Sequence, residues 1–264
     1  MAYDIRFENF TFKHTTNKEG TIDSASLNKE HFHKEYELLY FAKGHGTFYI
    51  EQKKYPLLPH QLLVIKPGAY HHLDICTSMD YERVVIRFNA NILSPELAAD
   101  LIKTESIYNI AGFRLENEIE HFDFFYEVIP QKTIQQVFYH QLHIILFMLT
   151  TFPKQNIPQI VLHDNDFIKL MNYLDSNILS IKSVKDICNA VGMSEAKIQR
   201  IMKERMNTSA MKYINTKKCI QASNLIQQGI PVSKVHTLCG YADYTTFYRN
   251  FIRVFRHAPV FSRN

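Results

Sequence analysis

Residues 183–194 read Ser183-Val-Lys-Asp-Ile-Cys-Asn-Ala-Val-Gly192-Met-Ser194. Serine is a favoured residue at a helix N-cap, and glycine permits the tight turn that would separate two helices. The apolar residues at helical spacing are Val184, Ile187 and Val191 in the first helix and Ile198, Ile201 and Met202 in the second. The stretch therefore predicts a helix, a short turn and a second helix that begins after Ser194.

The same pattern returns further along the chain, where Val232 to Gly240 repeats the first helix and Tyr241 and Asp243 lead into the next. The residues expected to face inward are Val235 and Leu238 in its first helix and Phe247 and Phe251 in its second. Many helical hairpins match such a pattern once. Two copies in one segment are stronger evidence for helix-turn-helix pairs, whose second helix enters the major groove of DNA.

A long helix is predicted between the two copies, from Ala210 to Gln228, because Gly229 and Pro231 follow its last apolar residues. Major-groove segments on one face of a duplex lie about 34 Å apart. A rigid connector of this kind would allow one chain to read two of them.

Charge divides the chain into two parts. The 264 residues carry a net charge of +4, but residues 1–164 contain 15 Lys and Arg against 20 Asp and Glu (−5), whereas the remainder contains 15 against 6 (+9). Pro153 and Pro158 interrupt any helix where the charge changes. The sequence predicts domains at 1–152 and 164–264 with a linker at 153–163. The basic domain either meets a polyanion or simply has a basic solvated surface.

Composition excludes several classes of protein. A hydrophobic content of 46% and a charged content of 21% exclude general disorder. The cysteines, which are Cys76, Cys188, Cys219 and Cys239, lie far apart and fit a reducing compartment. The start of the chain lacks the features of a signal peptide, and the longest apolar run, 142–152, is shorter than the roughly 20 residues of a membrane span. We expect a soluble, cytoplasmic protein.

The first half predicts a strand-rich unit followed by helices. Between Ile5 and Asn89, strand-like segments alternate with turns, which suggests an antiparallel sandwich or barrel. Ser94 and Pro95 then mark a helix start. The stripe expected on the last helix, 133–151, consists of Ile134, Val137, Phe138, Gln141, Ile144, Ile145 and Met148. This stripe either packs against the barrel or forms the seam of a homodimer, and both can hold together.

The basic half resembles the AraC/XylS family of bacterial transcription regulators along essentially its whole length. The resemblance is carried by Gly192-Met-Ser194, Arg200, Tyr213-Ile-Asn, Gly240-Tyr-Ala-Asp243, Phe247-Tyr-Arg249-Asn-Phe251 and Pro259. Asn207 and Arg256 stand where the family usually has glycine after each second helix. The resemblance implies an α+β protein with a cupin-like N-terminal β-barrel, dimerisation helices and an all-α C-terminal domain with two helix-turn-helix motifs.

The inward positions of the two second helices determine which residues face a DNA groove. The residues expected there are Ala196, Gln199, Arg200 and Lys203 in the first pair and Tyr244, Thr245, Tyr248 and Arg249 in the second. Arginine can fork onto guanine, glutamine can bridge adenine, and threonine or alanine can touch a thymine methyl group. Tyrosine and lysine are expected mostly at the DNA backbone. Alternatively, some of these are ordinary solvated side chains.

In the first half, the segment from His31 to Glu37 and the later Gly68-Ala-Tyr-His71 resemble the two cupin motifs in spacing. The residues predicted to bind an effector are His31, His33, Glu37, Tyr49, His71 and Arg87. His60 and Lys66 replace a Gly and a Pro of the second motif. The histidines with Glu37 could bind a metal, recognise a polar effector or serve only the structure. We expect no metal, no cofactor and no catalytic residue.

These observations together predict a ligand-responsive, sequence-specific DNA-binding regulator, more often an activator than a repressor in such a family, that senses a sugar or another small metabolite. Its expected partners are double-stranded DNA, the effector, RNA polymerase and a second copy of the chain. The alternatives are a metal-dependent cupin enzyme fused to a DNA-binding domain, and an effector-free regulator that responds to another protein.

Overall fold

The structure is a computed structural model of the chain, and it describes residues 2–18, 31–51, 53–76, 80–155, 157, 160–161 and 165–260. The chain divides into two compact units, Met1–Ile160 and Val161–Asn264. A short strand, β10 (Ile160–Val161), lies at this division, within the segment predicted as a linker. Pro158, on which part of that prediction rested, lies outside the described residues.

The first unit contains two antiparallel sheets. The strands are β1 (Ala2–Phe7), β2 (Phe10–Asn17), β3 (Tyr36–Lys43), β4 (Gly46–Ile50), β5 (Lys53–Leu57), β6 (Gln61–Ile65), β7 (His71–Ile75), β8 (Tyr81–Phe88) and β9 (Ile107–Asn109). One sheet has the order β1-β2-β8-β3-β6-β9, and in the other β4 pairs with both β5 and β7. Register between β3 and β8 places Glu37 opposite Arg87.

The two sheets face each other across an apolar core. Leu39 and Phe41 of β3 pack there with Phe48 of β4 and Leu73 of β7. Because side chains alternate along a strand, the neighbouring Leu38 and Tyr40 point to the other face of the first sheet. Strand β3 is therefore buried on both faces, which explains its nearly continuous run of apolar residues.

Helices cover the outer face of the first sheet. They are α1 (Pro95–Ile102), α2 (Arg114–Val128) and α3 (Gln131–Thr150). The predicted start of α1 is confirmed, since the backbone N–H of Leu97 donates to Ser94 Oγ at 3.2 Å. His14 on β2 contacts Asp123 of α2 at 2.5 Å through Nδ1 and Glu82 of β8 at 2.9 Å through Nε2, and the hydrogen bond with Asp123 raises its pKa.

The apolar stripe of α3 is buried only in part. Ile134, Phe138, Gln141 and Ile145 are buried, as expected, whereas the side chain of Ile144 is 46% exposed. The buried face continues instead through Leu142, Leu146 and Leu149. A helix this apolar has more hydrophobic residues than one face can hold, so Ile144 stays available for the homodimer seam that the stripe also predicted, and that seam stays a prediction.

The second unit is helical in its described residues from Asn165 onward, and the predicted α+β class is confirmed. Its helices are α4 (Asn165–Asn177), α5 (Val184–Val191), α6 (Glu195–Met206), α7 (Ala210–Gln227), α8 (Val232–Leu238) and α9 (Tyr244–Phe255). Helices α5 and α6 form the first predicted pair, α8 and α9 the second, and α7 connects them. Within the described residues, no helix is both long enough and apolar enough to cross a membrane.

Most residues predicted to face inward in the helix pairs are buried, and these are Ile187, Val191, Ile198, Ile201, Met202, Val235, Phe247 and Phe251. Val184 is only partly buried. Leu238 is 51% exposed, contrary to the prediction. The reason is that Val235 and Cys239, four residues apart, take the inward positions of α8 and leave Leu238 at its side.

Candidate functional site

Helix α6 presents a polar face to solvent. Ala196, Gln199, Arg200 and Lys203, the residues predicted there, are all exposed. Ser194 caps the helix by accepting a hydrogen bond from the backbone N–H of Lys197 at 3.3 Å. Gly192, between α5 and α6, has the left-handed conformation that the short turn requires (φ 68°).

Helix α9 presents the second such face, and it is more aromatic. Tyr244, Thr245, Tyr248 and Arg249 are exposed there, as predicted. Asp243 caps the helix by accepting hydrogen bonds from the backbone N–H of Thr246 at 2.8 Å and from its hydroxyl group at 2.9 Å. The backbone hydrogen bond lowers the pKa of Asp243 below its usual value.

These exposed side chains differ in their contacts with the described part of the protein. Among the described residues, Gln199, Arg200 and Arg249 form no hydrogen bond and no salt bridge with the protein. Lys203, by contrast, donates to Asn207 Oδ1 at 2.9 Å. Long donors held on capped helices and left unpaired are suited to base edges or phosphate oxygens.

The first unit contains a cavity of about 470 Å³ between its two sheets. Of the predicted effector residues, His31, Glu37, His71 and Arg87 line this cavity. Tyr49 does not, because Phe48 is the residue of β4 that faces the cavity, while Tyr49 stacks on His72 with ring centroids 4.1 Å apart. Tyr49 therefore lies outside the lining that the structure describes, and its contact with an effector stays a prediction.

The cavity also involves residues that sequence reasoning missed. The missed residues are Arg83 and Val85, which alternate with the predicted Arg87 along β8, and all three line the cavity. The Nε atom of Arg83 is buried without a hydrogen-bond partner among the described residues. Period-two spacing of two arginines around a valine was the signal in the sequence, although it does not say which face is the inner one.

Glu37 is a buried, charged residue of the cavity lining. Its side chain is 3% exposed, and Oε2 accepts from Arg87 Nε at 2.5 Å and lies 3.0 Å from His33 Nε2. Burial alone would raise the pKa of Glu37, but the hydrogen bond with His33 and the charge of Arg87 outweigh it and hold that pKa well below its usual range. His33 thus affects the cavity through its contact with Glu37 and is not itself a lining residue.

His71 lies beside Glu37 and is kept neutral. Its Nδ1 lies 2.8 Å from the carbonyl oxygen of Ala69, to which it donates, and burial lowers its pKa to about 3. Nε2 therefore carries a lone pair, and it is buried without a partner among the described residues. A neutral imidazole of this kind can accept a hydrogen bond or bind a metal.

His31, His33 and His71 converge, as predicted. Their nitrogen ligand atoms lie within 4.8 Å of one another, and reciprocal backbone hydrogen bonds of 3.1 and 2.9 Å join His31 to His71. Three imidazoles suit a transition metal in kind and number. Glu37, the fourth predicted ligand, is already engaged by Arg87.

The two departures from the cupin motif serve as structural ties. His60 adopts a left-handed conformation (φ 65°), and its Nδ1 lies 2.5 Å from Glu116 Oε1 on α2. Lys66 donates to the carbonyl oxygens of Ile102 at 2.5 Å and Thr104 at 3.0 Å. Both positions hold the barrel against the segment that follows it and stay clear of the cavity.

Two family models match the chain. The model described as "AraC-like ligand binding domain" matches residues 23–143, and the model described as "Helix-turn-helix domain" matches residues 187–264. The first match covers most of the strand-rich unit with its cavity, and the second covers both exposed helix faces. No curated protein matches the chain.

Solved structures of low sequence identity are similar over most of the chain. ToxT from Vibrio cholerae O395 is 12% identical, with 96% of each chain covered and a TM-score of 0.37. The AraC-like transcriptional activator CuxR is 11% identical, with 84% of this chain and 79% of CuxR covered and a TM-score of 0.42. At such scores these two structures carry no argument about function.

The family models therefore match the cavity unit and the helix-pair unit in the order that the residues predicted. Each unit has the groups that its match requires, a polar cavity in one and two exposed helix faces in the other. The chain belongs to the AraC family of ligand-responsive, DNA-binding transcription regulators.

Proposed function

We propose that this regulator is a transcription activator for carbohydrate or small-metabolite genes and that its effector binds in the cavity of the first unit. The observation that carries the DNA-binding half of this proposal is the pair of exposed faces on α6 and α9. We propose boundaries of 1–152 for the effector and dimerisation domain, 153–163 for the linker and 164–264 for the DNA-binding domain. The protein acts by binding and performs no catalysis.

On DNA, α6 and α9 each enter the major groove. Gln199, Arg200 and Arg249 contact base edges or phosphates, while Tyr244 and Tyr248 contact the backbone. Lys203, Ala196 and Thr245 complete the two faces. Neither arginine has to break a hydrogen bond or a salt bridge with the described residues when DNA binds, which supports this assignment.

In the cavity, the effector is a polyhydroxylated molecule. Hydroxyl groups both donate and accept, and the cavity offers both kinds of partner: acceptors at Glu37 and at His71 Nε2, and donors on Arg83 and Arg87. Phe48 supplies an aromatic wall against which an apolar sugar face can pack. His31 adds a further polar group of the lining, and His33 acts on the effector through Glu37.

Effector binding shifts the protein between DNA-competent and DNA-incompetent populations. We propose a homodimer, supported by exposed apolar side chains on α2 and α3, which are Phe124, Val128, Ile144 and Phe147. An activator also meets RNA polymerase, and a protein that binds chromosomal DNA of a bacterium works in the cytoplasm.

The cavity assignment is tested by thermal denaturation of the full chain with a panel of sugars and organic metabolites. At least one sugar is expected to raise the melting temperature of the wild type and of Tyr49→Phe, which lies outside the cavity, but not of Glu37→Gln. A ligand that stabilises Glu37→Gln as much as the wild type would contradict the assignment. If no compound raises the melting temperature, the result favours the effector-free regulator that responds to another protein.

The second candidate function is a metal-dependent cupin enzyme fused to a DNA-binding domain, and the convergence of His31, His33 and His71 favours it. Metal analysis of the purified protein separates the two. The enzyme would be favoured over the sensor if the wild type binds stoichiometric transition metal and shows metal-dependent turnover. Both His33→Ala and His71→Ala would then have to lose the metal.

A further inference from the structure

In the second unit, the turn of the second helix pair contacts the backbone of the segment that precedes the first pair. Gly240, in the turn between α8 and α9, has a left-handed conformation (φ 70°). A Cβ atom added there would lie 1.8 Å from the carbonyl oxygen of Leu179, so no side chain fits. Leu179 belongs to the segment that leads into the first pair. The turn of the second pair therefore packs directly against the segment that leads into the first pair.

A buried lysine holds this contact. Lys218 extends from the connector α7, is 3% exposed, and donates through Nζ to the carbonyl oxygens of Ile181 at 2.9 Å and Gly240 at 3.1 Å. Its ammonium group also lies over the ring of Tyr241, 5.4 Å from the centroid. No carboxylate among the described residues forms a salt bridge with it.

A charge in this position is costly for stability alone. Burial lowers the pKa of Lys218, which reflects the penalty for removing an ammonium group from water. An apolar side chain would avoid that penalty, but it could not donate to two carbonyl groups from separate segments. A buried charged group that links two elements in this way serves conformational specificity in some proteins.

The contacts of Lys218 lie close in sequence to the N-cap of α5, the helix that precedes α6, and to the N-cap of α9. Ile181 lies just before Ser183, the N-cap of α5, which turns into α6. Gly240 lies just before Asp243, the N-cap of α9. Tyr241 adds a second tie, because its hydroxyl group donates to the carbonyl oxygen of Asn215 on α7 at 3.3 Å and its ring packs on Phe247 of α9.

We propose that Lys218 is a positioning residue that fixes the relative placement of α6 and α9 and thereby sets the spacing between the two DNA half-sites read by one chain. The proposal rests on the proposed DNA-binding role of these two helices. Lys218 itself is buried and does not touch DNA.

The test uses a duplex that the full-length wild-type protein selects from a random DNA library. Variants of this duplex have one or two base pairs added to or removed from the region between the half-sites. Each added pair moves one half-site by about 3.4 Å and turns it around the duplex axis. We expect the wild type to lose at least about tenfold in affinity for each altered spacing.

Lys218→Met is expected to bind the selected duplex more weakly and to discriminate between the spacings by less than about threefold, with the salt dependence of the wild type because no phosphate contact is lost. Lys218→Arg is expected to restore discrimination. Lys217→Met is the matched control, since Lys217 is the neighbouring lysine of α7 and lies over Tyr213 at 5.2 Å. It is expected to discriminate as the wild type does.

A folded Lys218→Met protein that keeps the spacing discrimination of the wild type would overturn the proposal, as would a reduced salt dependence, which identifies a phosphate contact. If Lys218→Met does not fold, Lys218→Gln, which keeps a donor but is shorter and neutral, is measured on the same duplexes with the same criteria. A wild-type protein that selects no duplex would instead overturn the proposed function.

Discussion

The two helix pairs have one design but differ in how it is built. The turn of the first pair, at Gly192, has open space around it, whereas the turn of the second, at Gly240, lies against the backbone of Leu179. The outer face of α6 is made of long polar side chains, and that of α9 includes Tyr244 and Tyr248. The comparison indicates that the turn of the first pair is less constrained by its surroundings. The turn of the second pair also helps to position both DNA-facing helices.

The two turn glycines provide the largest expected difference. Gly192→Ala meets no atom within 4 Å and costs only the strain of a left-handed alanine, about 1–2 kcal/mol in the free energy of unfolding. Gly240→Ala adds a clash with a carbonyl group and should cost at least about 3 kcal/mol. Chemical denaturation of both variants measures the difference, and equal losses would contradict the asymmetry.

The DNA-facing arginines come next. Arg200→Ala and Arg249→Ala should each weaken operator binding by about 1–3 kcal/mol while leaving the fold intact, because both side chains are exposed and unpaired. Lys169→Ala, at an exposed position of α4, serves as the control for loss of charge. Mobility-shift titrations on the selected duplex give the values. Unchanged affinity for the duplex in both arginine variants would contradict the assignment of α6 and α9 to the DNA interface.

The N-caps of the two DNA-facing helices differ in their response to pH. Ser194→Ala should cost about 1 kcal/mol in unfolding free energy at every pH, because a serine cap does not titrate. The cap of α9 is Asp243, whose pKa is lowered by its hydrogen bond with the backbone of Thr246. A lowered pKa in the folded state stabilises the protein above the ordinary range of aspartate, and this contribution is lost as pH falls through the folded pKa.

Asp243→Asn retains a capping oxygen but cannot titrate, so the difference in stability between wild type and Asp243→Asn should shrink toward acid pH. Thermal melts between neutral and strongly acidic pH measure it. A difference that stays constant or grows as pH falls would show that the Asp243 carboxylate does not have the contribution assigned to it.

The smallest effect concerns the residues that end the two helices. Asn207 (φ 40°) and Arg256 (φ 62°) both take the left-handed conformation at these C-caps. Asparagine tolerates this conformation better than arginine, so Arg256→Gly should stabilise the protein by up to about 1 kcal/mol, and Asn207→Gly by less. A larger gain for Asn207→Gly in chemical denaturation would reverse this ranking.

Local signals in the sequence predicted much of this fold correctly. Ser94, Gly192 and Ser194 each perform the capping or turn role that their residue type favours, and both helix pairs occur where the repeat was found. Such features depend on a few neighbouring residues, which is why they can be read without coordinates. The exposed faces of α6 and α9 follow from the same helical periodicity.

The failures concern which side of an element is the inner one. Leu238 was assigned to a buried face and is exposed, Ile144 lies on the uncovered side of its predicted stripe, and Phe48 lines the cavity whereas Tyr49 does not. Periodicity shows which residues share a face, but the partner that covers the face is set by contacts distant in sequence. Lys218 was missed for the same reason, since its acceptors, the carbonyl groups of Ile181 and Gly240, leave no trace in side-chain patterns.

The ion pair between Glu37 and Arg87 in the cavity has a consequence for which ligands can bind. Glu37 is almost fully enclosed, whereas the side chain of its partner Arg87 remains 39% accessible. Arg87 and His33 both engage Oε2 of Glu37, so a molecule that uses Oε1 of the same carboxylate need not displace the arginine. Because the pair is already neutral, an uncharged molecule leaves its charge balance unchanged, while an anionic metabolite would draw on the separate guanidinium of Arg83, which also lines the cavity.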